Sequence, residues 1–411
     1  MALLTVHEAQ ERIRAAIQPI QQFEHVSIQN AAGRILAQPI AASDDYPLFD
    51  NSSMDGFAVR AEDISSASRA SPRTLRVVAD LAAGSTLTSP LGAGEAVRIM
   101  TGAPLPPGAD SVVPVEETDF QNNAPGSVAP EKVSIQRSVK RGEFVRPRGQ
   151  DLQRGQEVLQ AGHRLRAQDL ALLAMLGFPQ VSTIRQPRVA LISTGNELIE
   201  LGTPLGAGQI HESNSVALAA QLEADGAVVV HLGIARDERA AVRSALERAL
   251  DESADMILSS AGVSVGAYDF VKEVVEAQGN LNFWKVNMRP GKPLAFGKFR
   301  GIHFMGLPGN PVSAFVTYEV FARAALQKLS GESISARPSL RVRLIEPVES
   351  DGRESYLRGI VDFKAGTARL AGHQGSGNLF SLVQANALLI IPAGVKSAPA
   401  GQEVEAWLFH N

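Results

Sequence analysis

The sequence of 411 residues contains no cysteine, and this absence excludes several kinds of chemistry. Disulfide bonds, thiolate nucleophiles and cysteine-ligated zinc are all ruled out. Histidine is scarce as well, with 8 residues and no pair at the H-x-x-x-H spacing, so a histidine-rich metal site is not expected. Any catalysis must therefore rely on carboxylates, hydroxyls, cations and backbone groups.

An excess of charge of one sign and long apolar runs are also missing. The formal net charge is -4 and the pI is near 6.1, which gives the protein no general attraction to nucleic acid or to an anionic membrane. No apolar run approaches the length of a membrane span, and residues 1–10 show no basic segment followed by an apolar one. We therefore expect a cytoplasmic protein that binds neither nucleic acid nor membrane, with any anion site local.

The length and the composition are those of a multidomain globular protein. Apolar residues make up 45% of the chain and charged residues 20%, as in ordinary folded proteins. A chain of 411 residues exceeds one ordinary hydrophobic core, so two to four domains are expected. The patterns along the chain then predict where those domains lie.

Residues 1–180 are predicted to form a helical region with an inserted β-rich lobe. Thr5 and Glu8 have the spacing of a capping box at the start of a first helix. From 31 to about 148, short apolar runs are broken by Gly, Pro, Ser and Asp, which is typical of β-structure with many turns. A helical pattern returns at 167–177. We therefore expect two helical pieces that pack together, with the β lobe between them.

Residues 181–330 are predicted to form a doubly wound α/β domain. Apolar strands are expected at 189–193, 228–234 and 256–260. Amphipathic helices are expected at 215–224, 238–252 and 269–278. Strands that are apolar throughout, separated by such helices, favour a parallel sheet covered on both faces.

Residues 331–411 are predicted to form a separate C-terminal domain. Residues 331–338 have the composition of a linker, and short β-like runs follow with no convincing helix. The segment is large enough for a small β-barrel or sandwich. The fold class predicted for the whole chain is therefore α/β and multidomain.

Two turns in the central domain combine features that suit an anion. S-S-A-G-V-S-V-G follows the strand that ends at Ser260, and G-L-P-G-N-P-V-S-A follows 302–305; each turn leads into a helix. Helix starts at one edge of a sheet offer unpaired N–H groups and the positive end of the helix dipole. Lys285, Arg289 and Lys292 lie between the two turns. The combination predicts a site for a polyanion.

Single residues of this region also have simpler interpretations. Asp269 has the position of a helix N-cap, and Lys292 taken alone fits an exposed turn. Glu197, in S-T-G-N-E, follows the first strand of the same sheet and could cap a helix. A carboxylate beside a phosphate-binding cleft is equally suited to bind Mg²⁺ or to orient water. The functional interpretation therefore depends on the combination.

Eight segments together resemble the molybdopterin molybdenumtransferase family, which comprises the bacterial MoeA proteins and the E domain of gephyrin. In chain order they are N-S-S-M-D-G-F-A-V, R-I-M-T-G-A-P, R-G-Q-D, S-T-G-N-E-L, G-V-S-V-G-A-Y-D-F, F-W-K-V-N-M-R-P-G-K-P, G-L-P-G-N-P-V-S-A and H-Q-G-S-G-N-L-F-S-L. They lie between residues 50 and 382 in the order that the family has. Eight ordered matches are far more specific than any one of them.

The resemblance implies a fold, an assembly and a reaction. It implies an elongated homodimer whose subunits each have a helical dimerising part, a β lobe, a molybdopterin-binding α/β domain and a C-terminal β-barrel. The substrates implied are adenylylated molybdopterin and molybdate, with release of AMP and a requirement for Mg²⁺. Contact with the molybdopterin adenylyltransferase is implied as well.

The same resemblance implies roles for individual residues. Catalytic roles are implied for Asp55, Asp151, Glu197 and Glu212, the last two also as Mg²⁺ ligands. Binding of the pterin phosphate, the nucleotide or molybdate is implied for Thr101, Arg146, Ser260, Gly262, Ser264, Asp269, Lys285, Arg289, Lys292, Pro308, Asn310, Arg358 and Ser376. Residues of the β lobe are expected to act in the partner subunit's site.

The chain departs from the family's pattern at a few positions. Ala261 stands where a second glycine is usual, and Glu212 stands where aspartate is usual; milder changes are Asn196, Gln150 and Arg289. Either Ala261 has an ordinary right-handed or extended backbone, in which case its methyl group is harmless, or the turn is displaced and nucleotide affinity falls. We expect the first, because the surrounding serines, Gly262, Gly266 and Asp269 are all present.

Two other functions are compatible with parts of the sequence. A diverged paralogue could bind molybdopterin without turnover, and the α/β domain alone also resembles molybdopterin adenylyltransferases. The presence of Asp55, Asp151 and Glu197 favours an active enzyme over the first alternative. The N-terminal lobe and the C-terminal domain argue against the second.

Overall fold

The computed structural model describes residues 3–120, 127–262, 270–333 and 337–409. The α-helices are α1 (Val6–Ala16), α2 (Ala167–Met175), α3 (Asn214–Ala224), α4 (Arg239–Asp251), α5 (Phe270–Gln278), α6 (Pro311–Thr317), α7 (Arg323–Leu329) and α8 (Leu379–Gln384). A π-helical turn, Tyr318–Ala322, joins α6 to α7, and short 3-10 turns lie at Ile28–Asn30, Ala61–Ile64 and Val115–Glu117. Ser264 and Asp269 lie outside the described residues.

The strands are numbered in chain order. The first group is β1 (Phe23–Ser27), β2 (Ile40–Ala41), β3 (Asn51–Ser52), β4 (Gly56–Val59), β5 (Arg73–Leu81), β6 (Glu95–Ile99), β7 (Ser111–Pro114), β8 (Lys132–Ile135), β9 (Val145–Arg146), β10 (Glu157–Leu159) and β11 (Gln180–Ile184). The second group is β12 (Arg188–Thr194), β13 (Leu198–Ile199), β14 (Ile210–His211), β15 (Val228–Ala235), β16 (Met256–Ser260), β17 (Gly279–Lys285), β18 (Met288–Arg289), β19 (Pro293–Phe299) and β20 (Ile302–Leu307). The third group is β21 (Ser339–Leu344), β22 (Val348–Glu349), β23 (Glu354–Asp362), β24 (Thr367–Leu370), β25 (Ala387–Ile391), β26 (Ser397–Ala398) and β27 (Glu403–Leu408).

The chain separates into two compact units. The first comprises Met1–Gln38, Ala161–Ala171 and Pro179–Asn411, and the second comprises Pro39–Gln160 and Leu172–Phe178. This division keeps the predicted α/β and C-terminal domains together, and the three domain boundaries expected from the sequence stay predictions. In the part of the chain that the structure describes, no helix has both the length and the apolar character needed to cross a membrane.

The first unit is built on a six-stranded sheet with the order β15-β12-β16-β20-β19-β17. The first four strands are parallel, and alternate residues of β12 belong to separate apolar clusters: Val189 and Leu191 to one, Ala190 and Ile192 to the other. The predicted parallel sheet covered on both faces is confirmed. The antiparallel edge formed by β19 and β17 was not expected, because Asn280 and Asn282 interrupt the apolar pattern of β17.

The first helix begins as the sequence predicts. The Thr5 hydroxyl accepts from Glu8 N at 3.2 Å, and Thr5 N donates to the Glu8 carboxylate at 2.8 Å, which completes a capping box. The helix packs its apolar residues into the core of the first unit, against α7. The antiparallel pair of β1 and β11 connects the chain before the β-rich region to the chain after it. The chain segments before and after the β-rich region therefore meet through these two strands, whereas packing of α1 against α2 stays a prediction.

The C-terminal domain is a closed barrel. Its strands follow the order β23-β24-β21-β27-β25, and pairing of β23 with β25 closes the ring, which confirms the barrel. The expectation of no helix was wrong, because α8 lies between β24 and β25. This helix is short and most of its apolar side chains are exposed, so it lacks the periodic pattern that identifies a helix.

The second unit is β-rich, as its sequence pattern predicts. Its main sheet has the order β7-β4-β6-β5-β8, with β5 and β6 parallel and the other pairs antiparallel. Two apolar clusters cover the two faces of this sheet. A separate antiparallel pair, β3 with β9, places Asn51 opposite Arg146.

Candidate active site

A cavity of about 360 Å³ in the first unit collects several of the predicted anion-binding residues. It is lined by Arg289, Pro290, Gly291, Lys292, Pro293, Asn310, Ser313, Arg353, Leu357, Arg358, Gln374, Gly375 and Ser376. Four of these residues are cations and none of the described lining residues is a carboxylate. The cavity is therefore positively charged, although the whole protein is acidic.

Arg358 is the most unusual of these cations because its side chain is completely buried. Its Nε donates to the Ser381 hydroxyl at 3.0 Å, and Nη2 donates to the carbonyls of His373 and Gly375 at 3.1 and 3.0 Å. Nη1 is buried and has no partner. Burial lowers the pKa of Arg358 to about 10, and repulsion from Arg289 adds to the effect. A buried guanidinium without a carboxylate partner is costly, and an anion in the cavity would compensate it.

Gly291 and the short strand β18 determine how the turn R-P-G-K-P lies against the cavity. Gly291 has φ +102, and a methyl group there would lie 2.3 Å from the Thr317 side chain, so glycine is required. Pairing of β18 with β23 places Arg289 opposite Ser355, close to the buried arginine. Lys292 accepts from Val286 N through its carbonyl at 3.0 Å, which fixes the exit of the turn. Two cations are thereby held beside Arg358.

Asn310 and Ser376 form a polar pair on another side of the cavity. Asn310 Nδ2 donates to the Ser376 hydroxyl at 2.9 Å, and Ser376 O accepts from Val312 N at 3.1 Å. Pro308 lies in the turn before this pair, and Lys285 ends β17 opposite Pro293 without lining the cavity. The structure thus brings Arg289, Lys292, Asn310, Arg358 and Ser376 to one cavity.

The turn after β16 corrects our expectation for Ala261. Its φ is +68, so the backbone is left-handed, and the prediction of a right-handed or extended geometry was wrong. Ala261 N donates to Leu307 O at 3.1 Å, and Ala261 O accepts from the Ser259 hydroxyl at 3.0 Å. These bonds hold a conformation that costs alanine about 1 kcal/mol. The turn therefore keeps a glycine-like shape although a methyl group is present.

Gly262 continues this left-handed turn with φ +73. A methyl group on Gly262 would lie 2.3 Å from the Val271 side chain, so α5 packs directly against the backbone of the turn. Ser260, at the end of β16, is buried and accepts from Asn214 Nδ2 at 2.7 Å. The structure therefore explains the glycine at 262 by close packing.

Glu212 is buried at the start of α3. Its carboxylate accepts from the Ser193 hydroxyl at 3.1 Å, from Ser215 N at 2.9 Å and from the Ser215 hydroxyl. Both oxygens are therefore occupied by protein donors. In this position the carboxylate stabilises the first turn of the helix.

Glu197 has a neighbour that the sequence did not reveal. Asp237 follows β15 as Glu197 follows β12, and these strands are adjacent in the sheet. Asp237 accepts from Asn196 N at 3.2 Å and donates through its own N–H to Asn196 Oδ1 at 3.1 Å. Burial raises the pKa of Asp237, with repulsion from Glu197 adding to it. Because ligands bind at the carboxyl ends of parallel strands, the position of Asp237 just after a predicted strand was a sequence signal for a site residue.

The predicted residues of the second unit form two bonded pairs. Asp55 accepts from Thr101 N and from its hydroxyl, both at 2.7 Å, and the backbone bond keeps the pKa of Asp55 below its usual value. Arg146 donates to Asp151 at 2.6 Å. Asp55 is therefore ionised at neutral pH.

Comparison with known families defines the class of protein first. A model described as "Probable molybdopterin binding domain" matches residues 190–328, which contain the central sheet. Models described as "MoeA N-terminal region (domain I and II)" and "MoeA C-terminal region (domain IV)" match residues 4–177 and 341–409. The chain is thus a multidomain protein built around a domain of the molybdopterin-binding type.

Comparison with individual proteins then defines the family. A molybdopterin molybdenumtransferase of Nostoc sp. is 40% identical, over 93% of this chain and 88% of that protein. The protein of the same name from Haemophilus influenzae is 34% identical, over 100% of this chain and 99% of its own. A solved MoeA structure from Pyrococcus horikoshii OT3 matches with a TM-score of 0.85 and 30% identity, covering 99% and 100% of the two chains.

The chain belongs to the molybdopterin molybdenumtransferase family. The predicted family and fold class are confirmed, and with them the expectation of a transferase in molybdenum cofactor biosynthesis. The roles of single residues stay predictions, and Ser264 and Asp269 fall outside the residues described.

Proposed function

We propose that the protein transfers molybdenum from molybdate to adenylylated molybdopterin and releases AMP. The observation that carries this proposal is the buried Arg358, whose Nη1 has no partner in a cavity lined by cations. Molybdate is a small tetrahedral dianion, which such donors bind through charge-assisted hydrogen bonds. Arg289, Lys292 and Ser376 would supply the remaining donors.

The adenylyl end of the substrate is proposed to lie at the turns that follow β16 and β20. Residues Ser260, Gly262, Pro308 and Asn310 belong to these turns, and helices begin after both. Cleavage of a phosphoanhydride depends on positioning and on neutralisation of charge more than on covalent catalysis. Lys285, near the same edge, is proposed to contribute charge.

The residues present fit the Mg²⁺ that the family implies. Repulsion from Glu197 contributes to the raised pKa of Asp237, and a bound cation would relieve this repulsion. The described residues contain no group of three or more His, Asp or Glu that could hold a metal alone. Mg²⁺ is commonly bound by one or two carboxylates together with substrate phosphates, and it neutralises charge on their oxygens. We assign Glu197 and Asp237 to it, with Glu212 supporting the start of α3.

The second unit is proposed to complete the site of a partner subunit in a homodimer. Four polar residues of this unit have no role in the site of the first unit: Asp55, Thr101, Arg146 and Asp151. The ionised Asp55 would act as a hydrogen-bond acceptor for substrate. The adenylyltransferase that supplies the substrate is the proposed protein partner, and the cytoplasm the proposed location.

The reaction is tested with purified protein, adenylylated molybdopterin and molybdate, with and without Mg²⁺. We expect release of AMP together with incorporation of molybdenum, both dependent on Mg²⁺ and both lost in Glu197→Gln. Tight binding of the pterin without release of AMP would instead indicate the non-catalytic paralogue.

Composite sites are tested by mixing two inactive chains. A heterodimer of Asp55→Ala with Glu197→Ala contains one intact composite site, so part of the activity should return. Two chains that carry the same substitution serve as the control. No recovery in a verified heterodimer would contradict sites shared between subunits.

A further inference from the structure

Asn214, the first residue of α3, connects the turn that follows β16 with the turn that follows β20. Its Nδ2 donates to the Ser260 hydroxyl at 2.7 Å and to Gly309 O at 2.8 Å. Ser260 ends β16, whereas Gly309 lies in the turn that leads from β20 into α6. One amide group therefore bonds to both turns, although three different segments of the chain supply the residues.

The chemistry of these contacts fixes the direction of each hydrogen bond. A backbone carbonyl can only accept, so the atom that faces Gly309 O must be the amide nitrogen. An amide nitrogen cannot accept, so Ser260 Oγ must accept from it as well. The hydrogen of the Ser260 hydroxyl then points elsewhere, and the residues that the structure describes offer it no acceptor. Asn214 thereby leaves Ser260 as a donor.

A second set of contacts explains why the turns need this connection. Ala261 is left-handed, which is unfavourable for alanine, and its N–H bonds to Leu307 O at the end of β20. A methyl group on Gly309 would lie 3.1 Å from the Ala261 methyl group, so the turns are already in close contact. The unfavourable conformation at 261 therefore depends on the position of the turn at 309.

We propose that Asn214 is a positioning residue that holds these two turns in register. It thereby sets the geometry of the site that we propose for the adenylyl end of the substrate. The inference rests on the proposed function for the identity of the ligand, but the connection itself is a property of the free protein. Asn214 acts through Ser260 and Gly309.

The chain offers a matched control on the same helix. Gln221 also lies in α3, about two helical turns after Asn214, and its Nε2 donates to Glu319 at 2.8 Å instead of to either turn. Gln221→Ala and Asn214→Ala each remove one amide donor from α3. A purely structural contribution of such an amide would affect both variants alike.

The first measurement is hydrogen exchange in the protein without ligand. We expect Asn214→Ala to accelerate exchange about tenfold in peptides covering 256–262 and 304–312, because both turns lose a bond. Gln221→Ala should leave these peptides within twofold of the native protein. Equal exchange in the two variants would overturn the proposal, whatever substrate the site takes.

The second measurement is AMP binding by calorimetry. Asn214→Ala should bind AMP about tenfold more weakly than the native chain. Asn214→Asp should bind still more weakly, because a carboxylate cannot donate to Gly309 O and repels the anion. Unchanged AMP affinity in Asn214→Ala with altered exchange would contradict the role in ligand geometry. If Asn214→Ala shows the expected exchange effect but the native protein binds no AMP, the proposed function is contradicted. The connection between the two turns is then still supported.

Discussion

The first unit contains two cavities rich in arginine, and they differ in how the arginines are compensated. The larger, of about 570 Å³, is lined by Arg14, Arg164, Arg323 and Arg337 together with Asp225, Glu319 and Glu332. Each of these arginines has a carboxylate partner: Arg14 has Glu11, Arg164 has Glu332, Arg323 has Asp225, and Arg337 has Glu319.

The smaller cavity has no such balance. Arg358 has no carboxylate partner in the described chain, and Arg353 pairs with Asp351, which does not line the cavity. The number of cations therefore does not define an anion site, because arginines paired with carboxylates contribute little net positive charge. An unpaired, buried and partly unsatisfied arginine is the more specific sign. Substitution of one arginine in each cavity therefore tests the comparison.

The largest effect is expected for Arg358→Met. Molybdenum incorporation should fall about a hundredfold or more, since a hydrogen bond between a buried guanidinium and an anion contributes about 3 kcal/mol. The free energy of unfolding should change less, because the substitution removes a buried charge without leaving a carboxylate unpaired. Full activity in this variant would contradict the functional role of the smaller cavity.

Arg323→Met tests the larger cavity and should show the opposite result. Arg323 lies 3.1 Å from Asp225 and 3.4 Å from Glu319, so its loss leaves two partly buried carboxylates with fewer partners. We expect about 3 kcal/mol of destabilisation in denaturant titrations. AMP release well below the unfolding temperature should stay within twofold of the native rate. Lost activity at unchanged stability would reverse the functional assignment of the two cavities.

The contrast between these cavities could not be obtained from the sequence. Arg289 and Lys292 were predicted from a motif, and Arg358 was predicted because the family resemblance implied it. What isolates Arg358 from carboxylates is its place on the face of β23 that points out of the barrel, where it bonds to the carbonyls of His373 and Gly375 and to Ser381 on α8, a helix without a periodic pattern. Pairing and burial depend on tertiary contacts, which a motif does not contain.

The strands and turns show the same limit. The four parallel strands were predictable because their residues are apolar throughout, as at 256–260. The left-handed backbone of Ala261 was not, since the residue type argues against it and the bond to Leu307 that supports it comes from a distant segment. Asn214 was missed for a related reason: it is an ordinary polar residue until the fold brings Ser260 and Gly309 beside it.

A smaller effect is expected from pH at Asp225. Burial raises the pKa of this carboxyl group, despite its ion pair with Arg323 and the bond from the Tyr318 hydroxyl at 2.8 Å. A raised folded pKa means that the group's contribution to stability is present below its unfolded pKa and is lost as the pH rises through the folded value. Relative to Asp225→Asn, the native protein should therefore lose stability as the pH rises from about 4 towards neutrality. A relative gain over this interval in denaturant titrations would show that its partners overcompensate the burial.

The smallest effect is expected for Ala261→Gly, beside the smaller cavity's anion-binding turns. Glycine relieves the left-handed strain of about 1 kcal/mol but increases the freedom of the unfolded chain, so the net stability should change by only a few tenths of a kcal/mol. AMP affinity should change by less than about fivefold, because the turn already has its glycine-like shape.

Gly309→Ala makes this small effect measurable. Its new methyl group would lie 3.1 Å from that of Ala261, and the crowding should cost about 1 kcal/mol in the native background. In the Ala261→Gly background the same substitution should cost much less, because the opposing methyl group is gone. A double-mutant cycle of unfolding free energies measures the difference, and the native chain with each single variant provides the controls. If the two changes in unfolding free energy are additive, residues 261 and 309 do not crowd each other. The inferred close contact between these two turns would then be contradicted.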